Sequence, residues 1–264
     1  MDNVRNKSVM ITGGARGLGY KFAEVLLLNG AKNVAIIDLP TSNGENAVLA
    51  LQKESGTGRV IFVSCDVANA EDLKRAFEKV VDTFGTLDIL INNAGIFNDK
   101  HKWEETIDIN LKAYIRGSYL ALEHMGKYKG GKGGVIVNVS SVCGLSVFFP
   151  GPVYTASKYG VLGFSQALAG LYDYTGVRVL IICPGMTDTN LADNATENVI
   201  HFLDAEYTKQ SIEPFKPIQS VDNVAAALLE LIQKGKNGAA WVSEHDQPPY
   251  AVDFPHYSTR SLPV

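Results

Sequence analysis

The strongest constraint in this chain is a set of short runs rich in valine and isoleucine, recurring about every 25 to 45 residues. They read "SVMI" from Ser8, "NVAIID" from Asn33, "VIFVSCD" from Val60, "LDILINN" from Leu87, "VIVNVSS" from Val135, "VRVLIICPG" from Val177 and "AAWVS" from Ala239. Each is apolar on consecutive positions. A strand with one wet face would alternate, so unbroken runs predict strands buried on both faces of a parallel sheet. Helix-length segments lie between them. In "EDLKRAFEKVVDTFG" the apolar residues fall at three-four spacing and Gly85 closes the segment. Strand and helix alternating in this way imply right-handed crossovers and a doubly wound α/β sheet of about seven strands. No linker rich in proline, serine or charge divides residues 1–264, which predicts a single domain.

Composition narrows the partners. Apolar residues make up 46% and charged residues 20%, enough for a sizeable core in an ordinary soluble protein. A net charge of −4 gives no electrostatic reason to expect nucleic acid or an anionic membrane. No apolar run is long enough for a membrane span, and "MDNVRNKSVMITGG" has no signal-peptide pattern, so a cytoplasmic location is expected. Cys65, Cys143 and Cys183 are far apart and beside apolar runs, as reduced buried thiols would be. The five histidines form no cluster with metal-ligand spacing, and no metal is expected.

At the amino-terminal end, "MITGGARGLGYKFAEVLLLNG" passes from strand through a glycine turn into a helix. Gly13, Gly17 and Gly19 are spaced G-x-x-x-G-x-G, close to a dinucleotide fingerprint. Glycine suits such a turn because a side chain would keep a pyrophosphate from the backbone at the helix N-terminus. A nucleotide-triphosphate loop competes, since Gly14 and Gly19 are five apart, but Tyr20 stands where that loop needs lysine. Asp38 ends the second strand and can accept hydrogen bonds from ribose hydroxyls. Its charge and the neighbouring Leu39 disfavour a 2′-phosphate, whereas Arg16 would attract one. A directly facing carboxylate outweighs a mobile arginine, and NAD is expected over NADP.

Tyr154 and Lys158, in "PVYTASKYGVLGFS", stand one helical turn apart on one face. Spacing alone decides nothing, because Tyr128 and Lys132 share it inside a glycine-rich turn. Company matters more. With "TGGARGLG", "CDV" at 65–67, "NNAG" at 92–95 and a serine pair ending at Ser141, thirteen residues before Tyr154, the chain resembles the short-chain dehydrogenase/reductase family from about Asn6 to Ser243. Within it the likeness is greatest to NAD-dependent hydroxyprostaglandin dehydrogenases and related alcohol dehydrogenases. The resemblance implies a Rossmann-type fold and an alcohol–carbonyl oxidoreductase, with Asn110, Ser141, Tyr154 and Lys158 as the catalytic four. It places Gly13, Arg16, Gly17, Leu18, Gly19, Asp38, Leu39, Cys65, Asp66, Val67, Asn92, Asn93, Ala94, Gly95, Pro184, Gly185, Thr187 and Thr189 around the cofactor, with Tyr154 and Lys158.

On that reading Tyr154 is the general base. A free phenol titrates near pH 10, and lowering this by about three units needs roughly 4 kcal/mol. Lys158 and the cationic nicotinamide are expected to supply it. Ser141 would hold the reacting oxygen, and Asn110 would anchor a water that carries the proton outward. A carbonyl reductase working in the opposite direction and a nucleotide-sensing module without turnover are the alternatives. One position departs from the hydroxyprostaglandin enzymes. They carry a glutamine three residues before the tyrosine, and Gly151 here is expected to leave that space open beside the reacting oxygen.

Residues 186–219 follow the sixth strand and are expected to cover the cleft, with a solvated loop as the alternative. Their apolar residues, together with Phe148 and Phe149, suit a lipophilic secondary alcohol or its ketone. The tail from Gln247 has four prolines and is expected to be extended, packing on a neighbour or fraying. Small residues along "SKYGVLGFSQALAGLYDYTG" (Gly160, Gly163, Ala167, Gly170) permit close helix approach. Together with the resemblance they imply a homodimer or homotetramer.

Overall fold

A computed structural model describes residues 4–262. In chain order the elements are β1 (Ser8–Thr12), α1 (Gly17–Leu28), β2 (Asn33–Asp38), α2 (Gly44–Ser55), β3 (Val60–Ser64), α3 (Ala70–Phe84), β4 (Ile89–Asn92), α4 (Trp103–Ile107) and α5 (Ala113–Met125). There follow β5 (Gly134–Val139), α6 (Pro152–Ala169), α7 (Tyr172–Thr175), β6 (Val177–Pro184), α8 (Asn190–Asp193), α9 (Ala205–Ile212), α10 (Val221–Lys234), β7 (Ala240–Ser243) and β8 (Tyr250–Val252).

One sheet runs in the order β3-β2-β1-β4-β5-β6-β7-β8. Every pairing is parallel except β7 with β8. The unbroken apolar runs have the predicted cause. Val9, Ile11, Val34 and Ile36 face one layer with Phe22 and Leu26 of α1 and Leu228 and Leu231 of α10. Met10, Ala35 and Ile37 face the other with Leu73 and Phe77 of α3 and Leu122 and Met125 of α5. Each large side chain so buried contributes about 1.5–3 kcal/mol.

Helix ends follow the local sequence. The Asn69 side chain accepts from the amides of Glu71 and Asp72 to start α3, and Gly85 ends it in the left-handed region. Ser220 caps α10 through the amide of Asn223. The chain reverses direction across the sheet between β3 and β4, so β1 and β4 become neighbours and their carboxyl ends open a crevice.

Two features go beyond the expectation. The sheet has eight strands rather than seven, because the tail supplies β8, which pairs antiparallel on β7 through Val242 and Tyr250. Flanking prolines hid this strand, since only five residues lie between Pro249 and Pro255. The final two residues of the tail lie outside the described part of the chain, as do the first three of the expected domain. Residues 186–219 are also not a bare loop: they fold as α8, α9 and two short 3₁₀ turns. Among the described residues no helix is long and apolar enough to cross a membrane.

Candidate active site

The crevice at the carboxyl ends of β1 and β4 is a cleft of about 320 Å³. Most of the sequence-selected residues line it: Gly13, Arg16, Gly17, Leu18, Asp38, Leu39, Cys65, Asp66, Val67, Asn93, Ala94, Gly95, Ser141, Tyr154, Lys158, Pro184, Gly185, Thr187 and Thr189. The fold gathers them because most end or directly follow a parallel strand, while Tyr154 and Lys158 are brought in by α6.

One end presents open helix amides and a fixed carboxylate. Arg16 starts α1 in extended backbone with no side-chain cap, which leaves the first amides of that helix open to a ligand. Gly13 has φ +67, and a Cβ there would stand 2.9 Å from Ala94 Cα. Asp38 is held facing this turn, one carboxylate oxygen accepting from Ala15 N at 2.9 Å and the other from Leu39 N at 2.8 Å. Each oxygen keeps a lone pair for a hydroxyl. Thr12 Oγ1 accepts from the amides of Asn93 and Ala94, and Asn93 Nδ2 donates to Thr12 O and Gly13 O. These bonds tie the two turns into one wall.

Three expected residues lie behind the wall instead. Gly19 is required for packing: a Cβ there would come 2.1 Å from Gly13 O. Asn92 is buried and donates to Asn138 Oδ1 at 2.8 Å and Ser118 Oγ at 3.2 Å, while Asn138 donates to Ser165 Oγ at 2.8 Å. That network braces β4, β5 and α6 below the cleft. Asn110 sits in a single π-helical turn, Asp108–Lys112, between α4 and α5. Its side chain accepts from Ile96 N at 2.9 Å and donates to Ile96 O at 2.8 Å and Ser157 Oγ at 3.2 Å. Both donors are committed to protein partners, so the Asn110 side chain fixes the wall.

At the other end Tyr154, Lys158 and Ser141 converge, all buried. Lys158 Nζ donates to Val139 O at 3.0 Å and lies 5.7 Å from the centroid of the Tyr154 ring. Ser141 Oγ accepts from Cys143 N at 3.1 Å, and its hydrogen bond to the Tyr154 side chain favours the phenolate. Burial acts against both charged forms: it pushes the Tyr154 phenol up and the Lys158 ammonium down to about 8. Lys158 is therefore charged over most of its population only below that pH. The cysteines are free, buried thiols, with Cys143 pushed up to about 11 and Cys183 to about 12 by burial.

Aromatic rings close this end. Phe97 stands 5.3 Å from the Tyr154 ring and 5.8 Å from Phe148, which meets Phe215 edge-on at 5.0 Å. Phe149 instead is half exposed against Tyr207. The expected space at Gly151 is filled: a Cβ there would meet Phe97 Cε2 at 2.6 Å and Phe148 Cδ1 at 3.1 Å. Met186, Leu191, Ala192, Ala195 and Phe215 of the segment 186–219 line the cleft.

Asp99 escaped the sequence reading. Gly151 offers no side chain to cap α6. The buried Asp99 carboxylate does so from the segment after β4, accepting from Val153 N at 2.6 Å and Tyr154 N at 3.0 Å. Its own amide donates to Asn198 O at 2.9 Å, which joins the covering segment to the helix carrying Tyr154 and Lys158. Sequence gives no local signal for a cap 54 residues away.

Comparison with known proteins gives the family. A family model described as short chain dehydrogenase matches residues 7–200. The chain is 41% identical to the 15-hydroxyprostaglandin dehydrogenase [NAD(+)] of Mus musculus, covering 90% of this chain and 89% of that protein. It is 34% identical to alcohol dehydrogenase 1 of Ceratitis capitata, covering 91% and 93%. Among solved structures, levodione reductase superposes with a TM-score of 0.80 at 25% identity, covering 91% of this chain and 96% of the other. With the family model spanning most of the chain and relatives matching nearly all of it, the chain belongs to the short-chain dehydrogenase family.

Proposed function

We propose that this protein is an NAD-dependent dehydrogenase of a lipophilic secondary alcohol, interconverting it with the ketone. The observation that carries the reading is one cleft with Asp38 at its nucleotide end and Tyr154, Ser141 and Lys158 at the other. Relatives whose names specify NAD(+) support the cofactor, as does a carboxylate rather than a cation at the end of β2. Bound NAD would rest on the start of α1, Asp38, Asp66 and the Asn93–Gly95 turn, and it supplies the hydride-accepting carbon.

The chain's own groups handle the proton. The substrate hydroxyl lies on Ser141 Oγ and Tyr154 Oη, and the Tyr154 phenolate takes its proton as general base. Lys158, one turn along α6, stabilises that phenolate with its charge. Phe97, Phe148 and Phe215 surround the carbon chain and exclude water. These rings offer no hydrogen bonds to a polyol, and each buried methylene contributes about 0.8 kcal/mol. NADH formation across a 2-alkanol series from four carbons upward tests this: kcat/KM should rise with length. A flat series, or preference for sugars, would refute the apolar pocket.

The same reading takes the protein as a cytoplasmic single-domain enzyme assembling through α6. Ala156, Tyr159, Gly163, Ala167 and Gly170 form an exposed stripe on that helix, and Gly163 has open space where a Cβ would be. Light scattering should find a dimer or tetramer, and a monomer at micromolar concentration would contradict it.

A further inference from the structure

We propose that Tyr114 is a positioning residue for Lys158: its ring and that of Tyr154 bracket the ammonium and hold it charged. This rests on the dehydrogenase reading above and adds to the site a residue that does not line the cleft. Tyr114 is on α5, one turn beyond Asn110, and is 1% exposed. Lys158 Nζ lies over its ring, 5.4 Å from the centroid, and 5.7 Å from that of Tyr154. Both distances are within the roughly 6 Å at which a ring face attracts a cation.

The bracket matters because Lys158 has little else. An ammonium carries three donors, and Val139 O is its hydrogen-bond acceptor among the described residues. The ionisable groups around it are the Tyr154 phenol on its own helix, Tyr114 on α5, Cys143 after β5 and Cys183 on β6. Both thiols are neutral at working pH, being pushed up to about 11 and about 12. Asp99 acts on Tyr154 rather than on Lys158. Burial therefore drives the lysine toward its neutral form, and two π faces and one carbonyl oppose it. Tyr114 Oη also donates to Val139 O at 3.3 Å, so the ring and the hydroxyl offer separate ways to support the lysine.

The test reads the lysine directly. Protein labelled with ¹³C at lysine Cε is titrated by NMR, with the Lys158 resonance identified by its loss in Lys158→Met. Tyr114→Phe keeps the face and should leave the Lys158 midpoint in place. Tyr114→Leu should lower it by about one and a half pH units, the size of a desolvated cation–π contact. Since leucine leaves a void where the buried ring stood, a second series puts phenylalanine and its increasingly fluorinated analogues at position 114. Fluorination drains the ring face at nearly constant shape, so the midpoint should fall step by step. An unmoved midpoint in that series, or a fall in Tyr114→Phe equal to that in Tyr114→Leu, would overturn the proposal. Turnover is a separate readout: the acid limb of kcat/KM for alcohol oxidation should rise in the variants that lower the lysine. If the unmodified protein oxidises no alcohol, the dehydrogenase reading fails while the NMR titration still decides the role of Tyr114.

Discussion

Replacing Asp99 by alanine should weaken both the fold and the reaction, and its bonds give the scale. Asp99→Ala leaves the amides of Val153 and Tyr154 without their acceptor, and Gly151 has no side chain to replace it. Loss of a helix cap costs about 1 kcal/mol, and an unsatisfied buried amide at Tyr154 adds about 1–3. Relief from burying a charge offsets part of this, leaving a loss of roughly 2 kcal/mol. For a chain of this size that lowers Tm by about 4–8 °C. Because one of the freed amides belongs to Tyr154 itself, the phenol shifts relative to Ser141, and kcat should fall by about ten- to a hundredfold. NADH affinity, which the proposed reading assigns to Asp38 and the glycine turn, should stay within a factor of about two. Asp99→Asn keeps one acceptor and should fall between. Burial raises the Asp99 carboxyl above its ordinary 3.8, so the fold binds that proton more tightly than the unfolded chain. The stability advantage of the native protein over Asp99→Asn should therefore decline as pH rises from the ordinary carboxylate range through the raised value. Thermal melts from mildly acidic to neutral pH, with steady-state kinetics, check both parts. An alanine variant with native Tm and native kcat would refute the cap as a positioning device.

Tyr154→Phe should bind NADH almost unchanged while turnover drops by about 10²–10⁴-fold, and a variant retaining a tenth of the rate would place the proton acceptor elsewhere. The unmodified protein should favour NAD over NADP by about tenfold or more in kcat/KM, and Asp38→Ala should narrow that ratio; equal efficiency with both would remove Asp38 from the discrimination. Gly151→Gln should be destabilising by about 1–3 kcal/mol, because its Cβ would enter the space of Phe97 and Phe148. Pairing it with Phe97→Ala should restore much of the loss, and denaturant melts of the single and double variants measure the coupling.

What sequence could reveal here depended on whether a residue's reason is local. Strands buried on both faces announce themselves by consecutive apolar positions, and Asn69 and Gly85 announce the ends of α3 by their own chemistry. The glycine turn, Asp38 and the Tyr154–Lys158 pair are likewise legible, since each acts within a few residues of its motif. Asn92 and Asn110 stood at expected positions, but their partners (Asn138 and Ser118, Ile96 and Ser157) come from other elements, so sequence could not tell wall from lining. Gly151 misled for the same reason: a missing side chain suggests space, yet Phe97, 54 positions earlier in the chain, fills it. Asp99 and Tyr114 are the extreme cases. Neither sits in a motif, and both matter only because the crossover from β4 through α5 brings their chain beside α6. The fold makes a carboxylate into the cap of a helix it does not belong to, and turns an ordinary core tyrosine toward the one buried ammonium of the cleft. Polar or aromatic residues near the carboxyl ends of parallel strands thus carry a second possibility besides contact with ligand: they can set the charge and register of the residues that do make that contact.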